Sequence, residues 1–446
     1  MLIRFLVKNF LSVNHQVEFS MVKGKARLHP NHVITSPASG FKILRAGVIY
    51  GANASGKSNL IKAMAFAATF ITKGVPPKQT IPVKRFKLNS RNIDLPAKFE
   101  FTFEKNGVAY IYGFELDPER IHSEWLYTLK KAGTPKPIFE RVTTPDLQTE
   151  VVLFGFKNLS RKQLRLLDYA GERTRYNQLF LNKTIEDERP ELEDVFDWFD
   201  KNLTIIFPTS RFAPLAIRLT QDETFLERFL QFLKAADTGI DGLELREIEP
   251  ERLAVPDVLL QDIKTGLKPG NSALIYQTDD NNRYLVKKNQ DNELQFSMLM
   301  TTHQVEDSSK VAYFELGEES DGTQRMMDLI PGLLDMIHSE RVFIIDEIDR
   351  SVHSKLSRMI IEMFLRYGQS TSQLIVTTHE SGLLDFDLLR RDEIWFVEKD
   401  EKGASAVYSL EEFVPRYDKD IRKDYLNGRF GGIPVIQNEV VSSWAN

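Results

Sequence analysis

The segment GANASGKS, Gly51 to Ser58, constrains this chain more than any other. It fits G-x-x-x-x-G-K-[ST] and stands between an apolar run, Ile43–Tyr50, and a helical stripe. Leu60, Met64, Ala67, Ala68 and Ile71 recur at helical spacing, and Gly74 with Pro76 and Pro77 ends that helix. A strand that enters a glycine-rich turn and then a helix leaves free N–H groups at the helix start, where an anion is stabilised. Glycines let the backbone wrap phosphates that side chains would hold away. The expectation is a nucleotide site built from Gly51, Asn53, Ser55, Gly56, Lys57, Ser58 and Asn59. In it Lys57 reaches the β- and γ-phosphates and Ser58 ligates Mg²⁺.

Three further segments carry chemistry of the same kind. VFIIDEID, Val342 to Asp349, is an apolar run ending in an acidic pair, as a buried parallel strand would. Asp346 reads as the partner of Mg²⁺ beside the phosphate loop, and Glu347 as the base that orients and deprotonates the attacking water. QLIVTTHES is another apolar strand, and its His379, one strand past the acidic pair, reads as a sensor of the γ-phosphate. In ESDGTQR, Ser320, Asp321, Gly322 and Thr323 precede a helical stretch, Gln324–Ile337, that leads into the acidic strand. Taken alone, Ser320 would be an ordinary helix N-cap.

Strand-like sequence fills Met1–Phe10 and Gln16–Met21, and Asn106-Gly107 joins Phe99–Phe103 to Val108–Phe114 as a hairpin. From about Arg161 the texture turns charged and helical, with Phe225, Leu226, Phe229, Leu230 and Leu233 on one stripe of Glu223–Ala236. Asp279–Glu293 reads as polar and turn-rich. Strand and helix alternate again after about His303, with a last strand pair at Glu393–Val397 and Ala406–Leu410. With no cysteine, disulfides, thiol nucleophiles and thiolate metal sites are excluded. The net charge of −5, from 58 basic and 63 acidic residues, argues against a protein that coats nucleic acid. Arg4 and Lys8 interrupt the first apolar run, and no stretch approaches the about 18 apolar residues of a membrane span, so a soluble cytoplasmic protein is expected.

Phe5–Phe10 with Leu11-Ser12, the phosphate loop, SDGTQR, DEID, TTHES and the tail GRFGGIP, Gly428 to Pro434, together resemble the prokaryotic abortive-infection ATPases of the RloA/AbiL-like group. That group is related to RecF, SMC and OLD-family heads. Asp321 and Thr323 depart from the Ser-Gly-Gly-Gln signature of ABC-type heads. The resemblance implies an α/β fold: an ABC-type ATPase head (P-loop NTPase) with a mostly helical central insertion. The head would comprise residues 1–160 and 305–446, with the insertion at 161–304. It also implies ATP and Mg²⁺ as ligands and a homodimer, or a higher even oligomer, that sandwiches two nucleotides. Ser320 and Gly322 of one copy would then meet the γ-phosphate held by the other copy's Lys57, and Asp349 would lie at the interface.

Other signals are weaker. His29 and His32 flank Pro30 without a carboxylate at ligand spacing and read as surface histidines. Asn182-Lys183-Thr184 lacks the aspartate of a guanine-reading element, since Ile185 stands in its place. Gln79 and Gln163 are both open for the glutamine loop of an ABC head. Arg161, Lys162, Arg165, Arg173 and Arg175 form the densest basic stretch, favoured as a solvated face over a DNA contact. The residues after His379 are too few for the Toprim nuclease domain of OLD proteins plus the closing strands. The functional expectation is an ATP-driven sensor or scaffold of phage defence that gates a separately encoded effector, a nuclease or other toxin. A RecF/SMC-like DNA clamp is the alternative.

Overall fold

The computed structural model describes residues 1–130, 134–156, 159–212, 215–250, 253, 257–276, 282–413 and 420–433. Pro434 of the tail motif lies outside them. The chain divides into two compact units: Met1–Pro208 with Ser339–Asp349 and Ile361–Asn446, and Thr209–His338 with Arg350–Ile360.

The trace opens with β1 (Leu2–Lys8), β2 (Val17–Ser20), β3 (Val33–Thr35), β4 (Lys42–Leu44), β5 (Ala46–Tyr50) and α1 (Lys57–Lys73). There follow β6 (Ala97–Lys105), β7 (Val108–Leu116), β8 (Ile121–Leu129), β9 (Lys136–Thr143) and β10 (Thr149–Leu153). Next come α2 (Arg161–Glu172), α3 (Phe180–Glu186), α4 (Glu193–Asp197) and β11 (Leu203–Ile206). The second unit begins with α5 (Leu215–Gln221), α6 (Glu223–Ala235), β12 (Gly242–Glu247), α7 (Asp257–Gly266) and β13 (Ser272–Tyr276). It continues through β14 (Arg283–Lys288), β15 (Leu294–Gln304), β16 (Val311–Glu315) and α8 (Asp321–His338). The chain then passes through β17 (Val342–Ile345), α9 (Ser354–Tyr367), β18 (Gln373–Thr378), β19 (Ile394–Lys399), β20 (Ser405–Ser409) and α10 (Ile421–Leu426).

Among the described residues, the first unit carries a six-stranded sheet in the order β11-β17-β18-β5-β19-β20. All its neighbours are parallel except β20, which closes one edge antiparallel. Every residue of β5, β17 and β18 is buried, which is why these strands read as unbroken apolar runs rather than alternations. The second sheet of this unit is antiparallel, in the order β10-β9-β8-β7-β6-β1-β2. Phe99, Phe101 and Phe103 of β6 point to its core face, and Asn106 and Gly107 turn the hairpin with φ of 48° and 74°. Positive φ at both central residues matches the right-handed twist of the flanking strands.

The units do not divide at 161 and 304. Leu167, Ala170, Phe180, Val195, Trp198 and Phe199 all join the core of the first unit, where Trp198 stacks on Phe103 at 4.3 Å. β11 adds a parallel strand beside β17. Helix predominates in the second unit, as expected, beside a sheet in which β12, β15, β14 and β13 pair in that order and β16 pairs with β15. Phe225, Phe229 and Leu233 of α6 pack with Leu299, Met326 and Ile330. The polar stretch read as turns contains β14. Its sequence RYLVKK hides a buried strand because Arg283 is paired inside the unit with Asp328.

Candidate nucleotide site

The phosphate loop leaves the carboxyl end of β5, and α1 begins at Lys57. Its N-cap, Gly56, has φ 111° and offers no side-chain acceptor to the first-turn N–H groups. The Asn59 N–H closes on Gly56 O at 3.0 Å, and the turn ahead of it is the positive end of a helix with no acidic residue in its first turn, where an anion is stabilised. A Cβ at Gly51 would stand 2.3 Å from Val397 O, and one at Gly56 would stand 2.1 Å from Ser405 Oγ. Both positions therefore exclude a side chain on contact grounds.

Lys57 is buried, and its Nζ donates to the carbonyls of Gly51 at 2.8 Å and Ala52 at 3.1 Å. Burial lowers its pKa to about 8, against the opposing charges of Asp349, Glu347 and Asp346. The same Nζ lies 3.3 Å from His379 Nδ1. An ammonium only donates, so Nδ1 accepts and the ring proton sits on Nε2. Burial first, and Lys57 second, hold His379 below its ordinary pKa, which favours the neutral ring.

Sequence order placed the histidine strand beyond the acidic one. In space β18 lies between β5 and β17, because the crossover after β17 returns the chain toward β5. Hydrogen bonds bridge the distance. Ser58 Oγ donates to Asp346 Oδ1 at 3.2 Å, and Thr377 Oγ1 donates to the same oxygen at 2.6 Å. Glu347 has φ 50°, a backbone that a glutamate adopts only under constraint. Three fixed amides supply it: Asp346 N–H on Ile206 O at 2.9 Å, Glu347 N–H on Thr377 Oγ1 at 2.8 Å and Ile348 N–H on Thr377 O at 3.0 Å. The turn brings Glu347 to a cavity of about 410 Å³, lined also by loop residues 53–59, His379 and Lys399.

Asp349 Oδ2 accepts the His379 N–H at 3.1 Å. Ser320 and Gly322 stand at the start of α8 in the second unit. There Ser320 Oγ accepts the Thr323 N–H at 3.1 Å, and a Cβ at Gly322 would stand 2.6 Å from Ser351 O. Gln163 is engaged in a capping box with Ser160, and neither it nor Gln79 lines the cavity. His32 is not a surface residue. It is buried, its Nδ1 lies 3.1 Å from both Glu393 oxygens, and burial lowers its pKa to about 4. Sequence reasoning missed Thr377 as the bridge between the acids, and Lys399 at the cavity wall.

A magnesium nucleotide fits these residues. The cavity is polar, and the Ser55 hydroxyl beneath it is buried without a hydrogen-bond partner. Ser58 and Asp346 present two hard oxygens at one point, enough for a cation that keeps several waters. Loop, acidic pair and histidine meet at the carboxyl ends of adjacent parallel strands, and the chain carries a P-loop ATPase domain of α/β fold. It belongs to the family described as "AAA domain, putative AbiEii toxin, Type IV TA system", whose model matches residues 48–385.

Solved structures similar to this chain include an SMC head domain from Thermotoga maritima, 13% identical, with a TM-score of 0.36 over 92% of this chain and 98% of that one. A second is an Smc head bound to the C-winged helix domain of ScpA, 14% identical, with a TM-score of 0.40 over 92% and 99%. A third is an Smc head with an extended coiled coil bound to the C-terminal domain of ScpA, derived from Pyrococcus furiosus. It is 15% identical, with a TM-score of 0.37 over 93% and 97%. No curated protein matches the sequence. Among the described residues, no helix is long and apolar enough to cross a membrane.

Proposed function

We propose that this chain is the ATP-binding and hydrolysing sensor of an abortive-infection system, and that its nucleotide cycle gates a separately encoded toxin, a nuclease above all. The observation that carries the ATPase chemistry is the meeting of Lys57, Ser58, Asp346, Glu347 and His379 around one cavity. Membership of the AbiEii-related family supports the defence role. SDGTQR and the Gly428–Gly432 tail support kinship with the RloA/AbiL-like group within it.

Bound ATP supplies the phosphoanhydride that is cut, and Mg²⁺ the charge that offsets its oxygens. Lys57 holds a positive charge at the β- and γ-phosphates. Asp346, held by Thr377 and Ser58, would hold Mg²⁺ there, with Ser58 as a second oxygen. Glu347 takes the proton of the attacking water on a carboxylate oxygen, and neutral His379 donates from Nε2 toward the γ-phosphate. The partner's Ser320 and Gly322 complete the wall, so the working form is a cytoplasmic homodimer, with Asp349 at its interface.

Mass spectrometry of tagged Glu347→Gln protein, isolated from its host in the presence of ATP, tests this reading. A stoichiometric nuclease or other toxin is expected. Recovery of the protein with DNA-repair factors instead would favour the DNA clamp, for which the exposed Arg161, Lys162 and Arg165 of α2 speak. DNA affinity that rises with ATP and falls steeply with salt would mark that alternative.

A further inference from the structure

Ser12, Asn59 and Ser405 come from three distant parts of the chain and meet under the phosphate loop. Asn59 Nδ2 lies 2.8 Å from Ser12 Oγ, Ser12 Oγ lies 2.8 Å from Ser405 Oγ, and Ser405 Oγ lies 2.7 Å from the carbonyl oxygen of Ser55. Ser12 and Ser405 are buried. The ends of this chain of bonds fix its direction. An amide NH₂ only donates and a carbonyl only accepts, so each hydroxyl accepts from one neighbour and donates to the next. Asn59 donates to Ser12, Ser12 to Ser405, and Ser405 to Ser55 O. Every hydroxyl proton is used once, and each bond polarises the one after it.

The last bond has a steric consequence. The peptide between Ser55 and Gly56 is planar and trans, so its C=O and N–H point in opposite directions. Holding the Ser55 carbonyl on Ser405 turns the Gly56 N–H away from Ser405, toward the cavity that Ser55 and Gly56 line. Gly56 has φ 111°, and a Cβ there would lie 2.1 Å from Ser405 Oγ and 2.7 Å from Ser12 Oγ, so the relay packs directly beneath this residue. Without the relay, a glycine peptide is free to flip. The relay itself is held in place by main-chain contacts. Ser405 N–H donates to Ser12 O at 2.8 Å, and the turn that carries Ser12 is held by the Asn9 side chain on the carbonyls of Asn92 and Leu95.

We propose that Ser405 and Ser12 are positioning residues for nucleotide binding: their hydroxyl relay locks the Ser55–Gly56 peptide so that the Gly56 N–H is aimed at a nucleotide phosphate. The inference rests on the proposed reading of the cavity as a nucleotide site. Neither serine touches the phosphates; each acts through the peptide that does.

The test measures ATP and ADP binding by calorimetry, with turnover and thermal unfolding, on Ser405→Ala, Ser12→Ala, the double variant and Lys57→Ala. A hydrogen bond to a charged acceptor is lost, so the Ser405→Ala dissociation constants for ATP and ADP should rise roughly tenfold. KM should rise with them while kcat at saturating ATP holds. The two serines act in one relay, so the double variant should bind no more weakly than Ser405→Ala alone. Unaltered ATP and ADP affinity in either folded single variant, with binding lost in Lys57→Ala, would overturn the relay and leave the nucleotide site standing. Unaltered affinity in Lys57→Ala would overturn the site itself. Should Ser405→Ala fail to fold, Ser12→Ala decides, because its side chain does not touch Ser55.

Discussion

The hydroxyl of Thr377 donates to Asp346 Oδ1 at 2.6 Å and accepts the Glu347 N–H at 2.8 Å, so one buried side chain on β18 positions both acids at the end of β17. Thr377→Val keeps the shape and removes both bonds. It leaves a buried donor unpaired, a loss of about 1–3 kcal/mol in stability. Thermal unfolding should report that loss. Turnover should fall about tenfold while ATP affinity stays within about twofold, since Thr377 faces the acids and not the loop.

Glu347→Gln keeps the size of the side chain and removes the carboxylate proposed as the base. Turnover should fall by about 10²–10⁴ with nucleotide affinity retained. Steady-state phosphate release and calorimetry on the same preparation check both halves. Ordinary turnover in this variant would refute the role of Glu347.

If each site takes its phosphate loop from one copy and its signature from the other, two dead variants should rescue each other. Lys57→Ala loses the loop charge, and Ser320→Arg blocks the signature. A mixed dimer then contains one site built from the intact loop of one chain and the intact signature of the other. Mixing the two proteins should restore turnover that neither has alone. No gain on mixing, with mixed dimers present by native mass spectrometry, would exclude the shared site.

His32 gives a pH dependence unrelated to the nucleotide. Burial, with Arg390 and Arg45 nearby, lowers its pKa from 6.5 to about 4, while burial raises that of its partner Glu393; His29 and Asp392 also face the pair. Between pH 6.5 and 4 the unfolded chain takes up a proton that the folded His32 refuses, so the contribution of His32 to stability falls as pH falls across that window, while the raised pKa of Glu393 acts in the opposite sense. The loss is on the order of 2–3 kcal/mol by pH 4. Denaturant titrations at several pH values should show His32→Gln with a slope shallower by up to one proton over this range.

The candidate site could be drawn from sequence because its residues lie in short contiguous segments: the loop at 51–58, the acids at 346 and 347, the histidine at 379. The parallel strands were legible for a similar reason, since burial on both faces writes itself as an apolar run. What sequence could not supply was order in space. Nothing in VFIID or QLIVTT says that the second strand sits inside the first. Nor does composition reveal β14, whose arginine is neutralised by an aspartate far away in sequence. His32 was misread for the same cause: its partner Glu393 is remote in the chain, and a buried histidine looks like an exposed one until that partner is seen.

The bond between Ser12 and Ser405 spans 393 positions of sequence. On a ribosome adding about 5–20 residues per second, the second serine follows the first by on the order of 20–80 s. During that interval the growing chain already holds its phosphate loop, but not the strand that sets the loop's final peptide. On the proposed relay, full affinity for nucleotide therefore arrives late, after the second unit has been made. If the chain gates a toxin as proposed, an unfinished copy responds weakly.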